Sequence, residues 1–334
     1  MVFGSGNWGR WGDADERGTL NLLTPEAVLA AASCVRDGRV LGLSLPIRGS
    51  TSSPAPTTVP HLRGRPLPQH FMSVDGGDYA AGARAIGAGL KMADDALIVT
   101  PHGTTTHMDA LCHMWSGDEL YNGHPAGRVR SYGAGRCGID KAGPVVARGV
   151  LFDVPARRGV ARLAAGDRID GADLAACGVE VRPGDVAVVR TGWPLTWHAD
   201  GPDAYWAGQP GLSADGGRWL AERDVAMVAS DNAAIGGLNA DQLAGEELTD
   251  DLHLILLWRY GIHLAEMLWL EELSEALRAD TGSSAAADDT GAGPAGDDTG
   301  AGPSATPRTD FLFVAAPLAI EGGTASPINP IAVL

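Results

Sequence analysis

Residues Pro101–Trp115 read PHGTTTHMDALCHMW and hold four groups able to bind a metal or move a proton: His102, His107, Asp109 and His113. His107 and Asp109 are two positions apart, so on an extended strand both side chains leave the same face. An imidazole and a carboxylate one strand step apart suit a single divalent ion, and this borderline-to-hard donor pair favours Zn²⁺ or Mn²⁺. His113, four residues beyond Asp109, is within reach of the same point. Its intrinsic pKa fits the removal of a proton from an activated water near neutral pH. One histidine alone reads as a packed core residue. Three such groups beside Gly103 and Thr104–Thr106, whose small side chains let backbone approach a ligand, read as a site.

A second set lies downstream, in LHL at 252–254 and GIHLAE at 261–266. His253, His263 and Glu266 sit there in otherwise apolar sequence, where an ionisable group costs several kcal/mol unless it is paired or metal-bound. On a strand, Glu266 shares parity with Leu264 while His263 faces the other way. The expectation is an inward Glu266 and a structural His263.

Around these segments the pattern alternates between helix and strand. Pro25–Val35 has helical spacing behind a Thr24 N-cap, with Pro25 at the first helical position. Val145–Val154, Asp185–Thr191 and Val225–Ser230 are short β-branched runs, and FLFVAAPLAI from Phe311 reads as a buried strand. Ala172–Ala176 and Ser213–Arg223 read as helices, Leu252–Trp258 as helix or strand, and Ile262–Leu264 as the start of a strand. The fold class is therefore α/β with mixed sheets. From about residue 280 to 309 the chain is nearly all Ala, Gly, Asp, Thr, Ser and Pro, with DDTGAGP occurring twice. Such a stretch buries too little apolar surface to offset ordering entropy, so a mobile acidic insertion is expected to interrupt a single domain spanning 1–334.

Composition removes several classes of function. A net charge of −16 repels nucleic acid and anionic membranes. No run approaches the ~18 apolar residues of a membrane helix. The first residues lack the charged start and apolar run of a secretion signal. The four cysteines (Cys34, Cys112, Cys137, Cys177) form no CxxC pair, so a reducing cytoplasm is the expected setting. GxGxxG after a strand, GxxxxGK[ST] and GxSxG are all absent, and the glycines of Gly82–Gly89 lack a strand–turn–helix context.

GTTTHMDALCH and LHLILLWRYGIHLAE, taken together, resemble the cyclase family of metal-dependent hydrolases, whose signature is HxGTHxDxPxH with a downstream His and Glu. NWGRWGDADERGTLNLLTPE, LYNGHP, RGVLFDV, GDVAVVRTGW and APLAIEGGTASPINPIAVL look familiar from the longer branch of that family, so the resemblance covers most of the chain. It implies a swivelling β/β/α fold that assembles as homodimers or homotetramers. It also implies metal ligation by His107, Asp109, His253 and Glu266, with Asp109 able to bridge two ions, and His113 as the catalytic histidine. The family's first metal histidine falls here on Gly103. His102, five residues before His107 and of opposite strand parity, takes its place only through a bulge or a one-residue insertion among Thr104–Thr106. Leu111 stands where the signature has proline.

The expected reaction is hydrolysis of a C–N bond in a small amide, formamide or lactam by activated water. Among nine tryptophans, Trp115 is the one expected to line the site for an aromatic substrate. Two other readings stand beside it. One is a biosynthetic cyclase or dehydratase using the same pocket, motivated by the displaced first histidine. The other is a binding protein whose site has decayed.

Overall fold

The strands predicted around the two ligand-bearing segments form one sheet. The computed structural model describes residues 6–49, 59–239, 252–283 and 308–334. Its strands include β1 (Val40–Gly42), β2 (Gln69–Val74), β3 (Asp94–Ile98), β4 (His107–Asp109), β5 (Val145–Asp153) and β6 (Val186–Arg190). They continue with β7 (Met227–Ser230), β8 (His263–Glu266), β9 (Asp310–Ala315), β10 (Ala325–Pro327) and β11 (Ile331–Val333). Nine of them make a mixed sheet in the order β1-β11-β9-β5-β6-β7-β8-β4-β10. The pairings β5–β6, β6–β7 and β7–β8 are parallel, and β4 lies antiparallel between β8 and β10. The three central strands β6, β7 and β8 are buried at every position, as parallel strands covered on both faces must be. The fold is α/β, as expected.

The C-terminal residues show that this sheet curls. A flat sheet of nine strands would be roughly 38 Å wide at about 4.8 Å per step. Yet β10 at one end and β11 near the other are joined by Ile328–Pro330 alone, a connection that reaches about 14 Å at most. The edges must therefore approach each other. Polar contacts mark the closure: Ile328 N–H donates to the Thr106 carbonyl (3.1 Å), Leu43 N–H to the Pro330 carbonyl (2.8 Å) and Trp269 N–H to the Leu43 carbonyl (2.9 Å).

Helices cover the outside. α1 (Pro25–Ala32) starts where expected, with the Thr24 hydroxyl accepting from Ala27 N–H, and it packs on β5 and β9. α2 (Gly171–Ala176) packs against α3 (Ala214–Ala221), whose Leu220 is fully buried. Residues Leu254–Tyr260 form a π-helix that ends at Gly261, so the ambiguous run from Leu252 resolves as helix. α4 (Glu271–Ser283) follows β8. Arg190 of β6 joins Asp153 (2.8 Å) and Glu271 (2.6 Å), fastening α4 to the sheet. Both DDTGAGP repeats lie outside the described residues. No described helix is long and apolar enough to cross a membrane, and the four cysteines are free.

Candidate metal centre

Two neighbouring strands and two flanking turns bring the predicted residues together. β4 pairs with β8 so that His107 lies opposite Glu266, and cross-strand partners present their side chains on the same face. His107, Asp109 and Glu266 are almost fully buried. His253 arrives from the residue preceding the π-helix, a helical irregularity common at functional sites. His113 follows the turn after β4, with its N–H donating to the Ala110 carbonyl.

His102 also joins the cluster. Before His107 the chain is not a strand, so strand parity does not apply there. It makes a tight turn in which Gly103 adopts φ +69°, and this turn swings His102 inward with no β-bulge. His102 Nε2 lies 3.3 Å from Asp109 Oδ1, and its ring stacks on His113 with centroids 3.9 Å apart.

Donor-atom distances test whether a metal fits. His107 Nε2 is 3.5 Å from both Asp109 Oδ1 and Glu266 Oε2, and His253 Nε2 is 3.2 Å from Glu266 Oε1 and 3.8 Å from Asp109 Oδ2. Donors placed about 2.0–2.2 Å from one tetrahedral ion stand roughly 3.4 Å apart. Two triads bring their donor atoms within 4.8 Å of one another, His107/Asp109/Glu266 and His102/Asp109/His113, and Asp109 belongs to both. His102 Nε2, His107 Nε2, both Asp109 carboxylate oxygens and Glu266 Oε1 are buried without a hydrogen-bond partner among the described residues. Orphaned acceptors and two carboxylates out of water are costly unless a cation neutralises them. The donor set therefore fits one or two divalent ions.

Surrounding groups aim these donors. His107 Nδ1–H donates to the Thr105 carbonyl (2.8 Å), which leaves the Nε2 lone pair facing the cluster. His263 is close at hand: its Nδ1–H donates to the Asp109 carbonyl (2.8 Å), linking β8 to β4. Burial would push the Asp109 carboxyl up, but His113, His102 and His107 around it hold it below the usual carboxylate range. Burial and the nearby Asp109 charge push Glu266 up. Burial pushes His113 down to about 3, so its ring is neutral near pH 7.

Not every expectation converges on the cluster. Trp115 is 38% exposed and makes no ring contact among the described residues. Three other aromatics, Trp193, Trp197 and Tyr205, form a buried group, with Trp193 and Tyr205 stacked at 5.7 Å. Sequence reasoning missed Ser230 and Asp231 at the end of β7. Ser230 lies one position beyond the Ala229–Ala265 pair and so neighbours Glu266; its hydroxyl is buried and unpartnered among the described residues. Asp231 accepts from Thr191 N–H (2.9 Å) and Gly192 N–H (2.8 Å). The one available signal was a polar Ser-Asp-Asn closing an apolar run.

A curled mixed sheet with a buried His/Asp/Glu cluster at one edge defines a class of protein, and the comparisons identify it. The chain belongs to the cyclase family: the family model described as "Putative cyclase" matches residues 41–236. A crystal structure of a novel cyclase is 31% identical, with a TM-score of 0.80 over 98% of this chain and 99% of the other. Isatin hydrolase A from Ralstonia solanacearum shares the fold at 18% identity and a TM-score of 0.54, over 92% of this chain and 97% of its own. An isatin hydrolase bound to the product analogue thioisatinate does so at 16% and 0.56, over 93% and 99%. No curated protein sequence matches the chain.

Proposed function

We propose that this protein is a metal-dependent hydrolase that opens a C–N bond in a small aromatic amide, formamide or lactam. One observation carries the proposal: buried donor atoms without hydrogen-bond partners, spaced as a metal would space them around a shared Asp109. The fold shared with isatin hydrolases, whose substrate is a lactam, supports the substrate class.

His107, Asp109, His253 and Glu266, with His102, would hold Mn²⁺ or Zn²⁺. When bound, such an ion supplies Lewis acidity toward a carbonyl and lowers the pKa of a water. The chain's own residues do the rest. Asp109 and Glu266 place negative charge on the buried side of the cluster. Thr105 and His263 fix the orientation of His107 and β4. His113, neutral and stacked on His102, takes the proton from the attacking water and delivers it to the leaving nitrogen. The cyclase or dehydratase alternative was motivated by the displaced first histidine, and the place of His102 beside Asp109 and His113 favours the hydrolase reading.

Elemental analysis of the wild type beside Asp109→Ala, after dialysis against metal-free buffer, tests the proposal. Near-stoichiometric Mn or Zn in the wild type, lost in the variant, is expected, together with turnover of N-formyl arylamines or isatin-like lactams. No metal in either protein, even after Mn²⁺ or Zn²⁺ is added back, overturns it.

A further inference from the structure

We propose that Trp193, Thr196 and Tyr205 form a recognition subsite beside the metal cluster and hold a neutral oxygen acceptor on the non-reacting part of the substrate. The occupant is the substrate proposed above, so its being turned over rests on that reading. All three side chains are buried, at 3%, 4% and 1% exposure. Yet Trp193 Nε1–H, the Thr196 hydroxyl and the Tyr205 hydroxyl have no hydrogen-bond partner among the described residues. A buried donor left unpaired costs its full desolvation, and native proteins keep few such groups. Three of them on one short stretch of chain mark a place where something else supplies the acceptor.

Packing gathers the three and sets them beside the cluster. Pro194–Asp200 and Pro202–Tyr205 are short helices in contact. The turn between them returns Tyr205 to Trp193, with ring centroids 5.7 Å apart and planes 26° from parallel. Trp197 meets the same Tyr205 ring edge-on at 5.4 Å. Trp193 directly follows Thr191 and Gly192, whose N–H groups donate to Asp231 at the end of β7. Tyr205 lies near enough to Asp231 and to Glu266 for both carboxylates to act on its hydroxyl. The aromatic wall expected of Trp115 thus falls to Trp193 and Tyr205.

Donor chemistry sets what fits there. An indole N–H only donates, whereas a hydroxyl donates or accepts. Burial and the charges of Asp231 and Glu266 push the Tyr205 phenol up, so it keeps its proton and donates. The same two carboxylates disfavour an anion, because like charges out of water repel strongly. The matching group is therefore a ketone, an amide carbonyl or a hydroxyl, and not a carboxylate. A site built from buried donors also discriminates sharply, since a ligand without the acceptor leaves them unpaired.

Isothermal titration calorimetry, with and without added Mn²⁺, tests the subsite with aniline, the isomeric aminoacetophenones and the isomeric aminobenzoates. At least one aminoacetophenone should bind about 10-fold more tightly than aniline and than every aminobenzoate. Tyr205→Phe deletes one oxygen and keeps the ring, and it should erase that preference. Thr196→Val, of nearly the same shape, should diminish it and decides the matter if Tyr205→Phe does not fold. A wild type without the preference, as for a chamber holding only water, overturns the proposal, and so does a preference that survives in the folded variants. Turnover of the N-formyl derivatives separates this from the hydrolase reading. Hydrolysis without the preference sinks the subsite alone, whereas a variant-sensitive preference without hydrolysis supports the subsite and sinks the hydrolase.

Discussion

Gly103→Ala should weaken the protein and its metal site together, for reasons that can be separated. Gly103 has φ +69°, and a left-handed residue with a Cβ costs about 1–2 kcal/mol. A Cβ there would also collide with Leu62 Cδ1 and lie 2.7 Å from Leu62 Cβ. Leu62 cannot simply withdraw, because its N–H donates to the Gly103 carbonyl at 2.6 Å. Overpacking of this kind adds about 1–3 kcal/mol. The total, about 2–5 kcal/mol, corresponds to a fall in Tm of roughly 3–7 °C for a domain of this size. Gly38→Ala isolates the first contribution, since Gly38 has φ +76° and open space around its missing Cβ; it should lose only the backbone share. Calorimetry in chelator compares the two variants without metal linkage. A Mn²⁺ or Zn²⁺ titration then reads the site, where displacement of His102 should weaken binding roughly 10- to 100-fold in Gly103→Ala alone. If Gly103→Ala melts with Gly38→Ala and binds metal like the wild type, the turn does not position His102 and the reasoning fails.

Two further outcomes follow from the site and its surroundings. His113→Ala should lower kcat by about 100- to 10,000-fold while bound metal is retained; loss of metal along with activity would make His113 a ligand and not the proton carrier. Burial pushes the Asp231 carboxyl up to about 6 despite its hydrogen bonds from Thr191 and Gly192. The folded state therefore keeps a proton that the unfolded chain releases near its usual value of 3.8. Stability from this group falls as pH rises from about 4 to about 6, by on the order of 1–3 kcal/mol. The unfolding free energy of the wild type minus that of Asp231→Asn should fall by this amount across that window, and a flat difference would show that Asp231 ionises normally.

Much of the site was legible because strand parity is a strong constraint. HMD at 107–109 and HLAE at 263–266 are both strands, as the parity argument requires, which put His107 and Asp109 on one face and Glu266 on the opposite face from His263. His102 resisted the same logic because Gly103 reverses the chain just before the strand begins, where a two-residue period has no meaning. His253 stood out in its apolar surroundings, but its role as a ligand came from the resemblance, since the register of a π-helix cannot be read from an apolar run. The aromatic group around Tyr205 was hidden for a different reason. Trp193, Trp197 and Tyr205 lie in two short helices, Pro194–Asp200 and Pro202–Tyr205, and just before them, with too few turns to show periodicity. Ser230 and Asp231 acquire their meaning from β8 alongside β7, a neighbour that no local pattern names.

The closure of the sheet by Ile328–Pro330 has a consequence for how the cluster comes apart. Asp109, common to both donor triads, lies on a strand whose outer neighbour is β10, with Ala325 opposite Asp109 and Pro327 opposite His107. Peeling β10 away leaves β4 paired with β8 alone, and His107 and Asp109 then border an open seam. Enclosure of the cluster and closure of the sheet are therefore a single event, lost together when β10 frays.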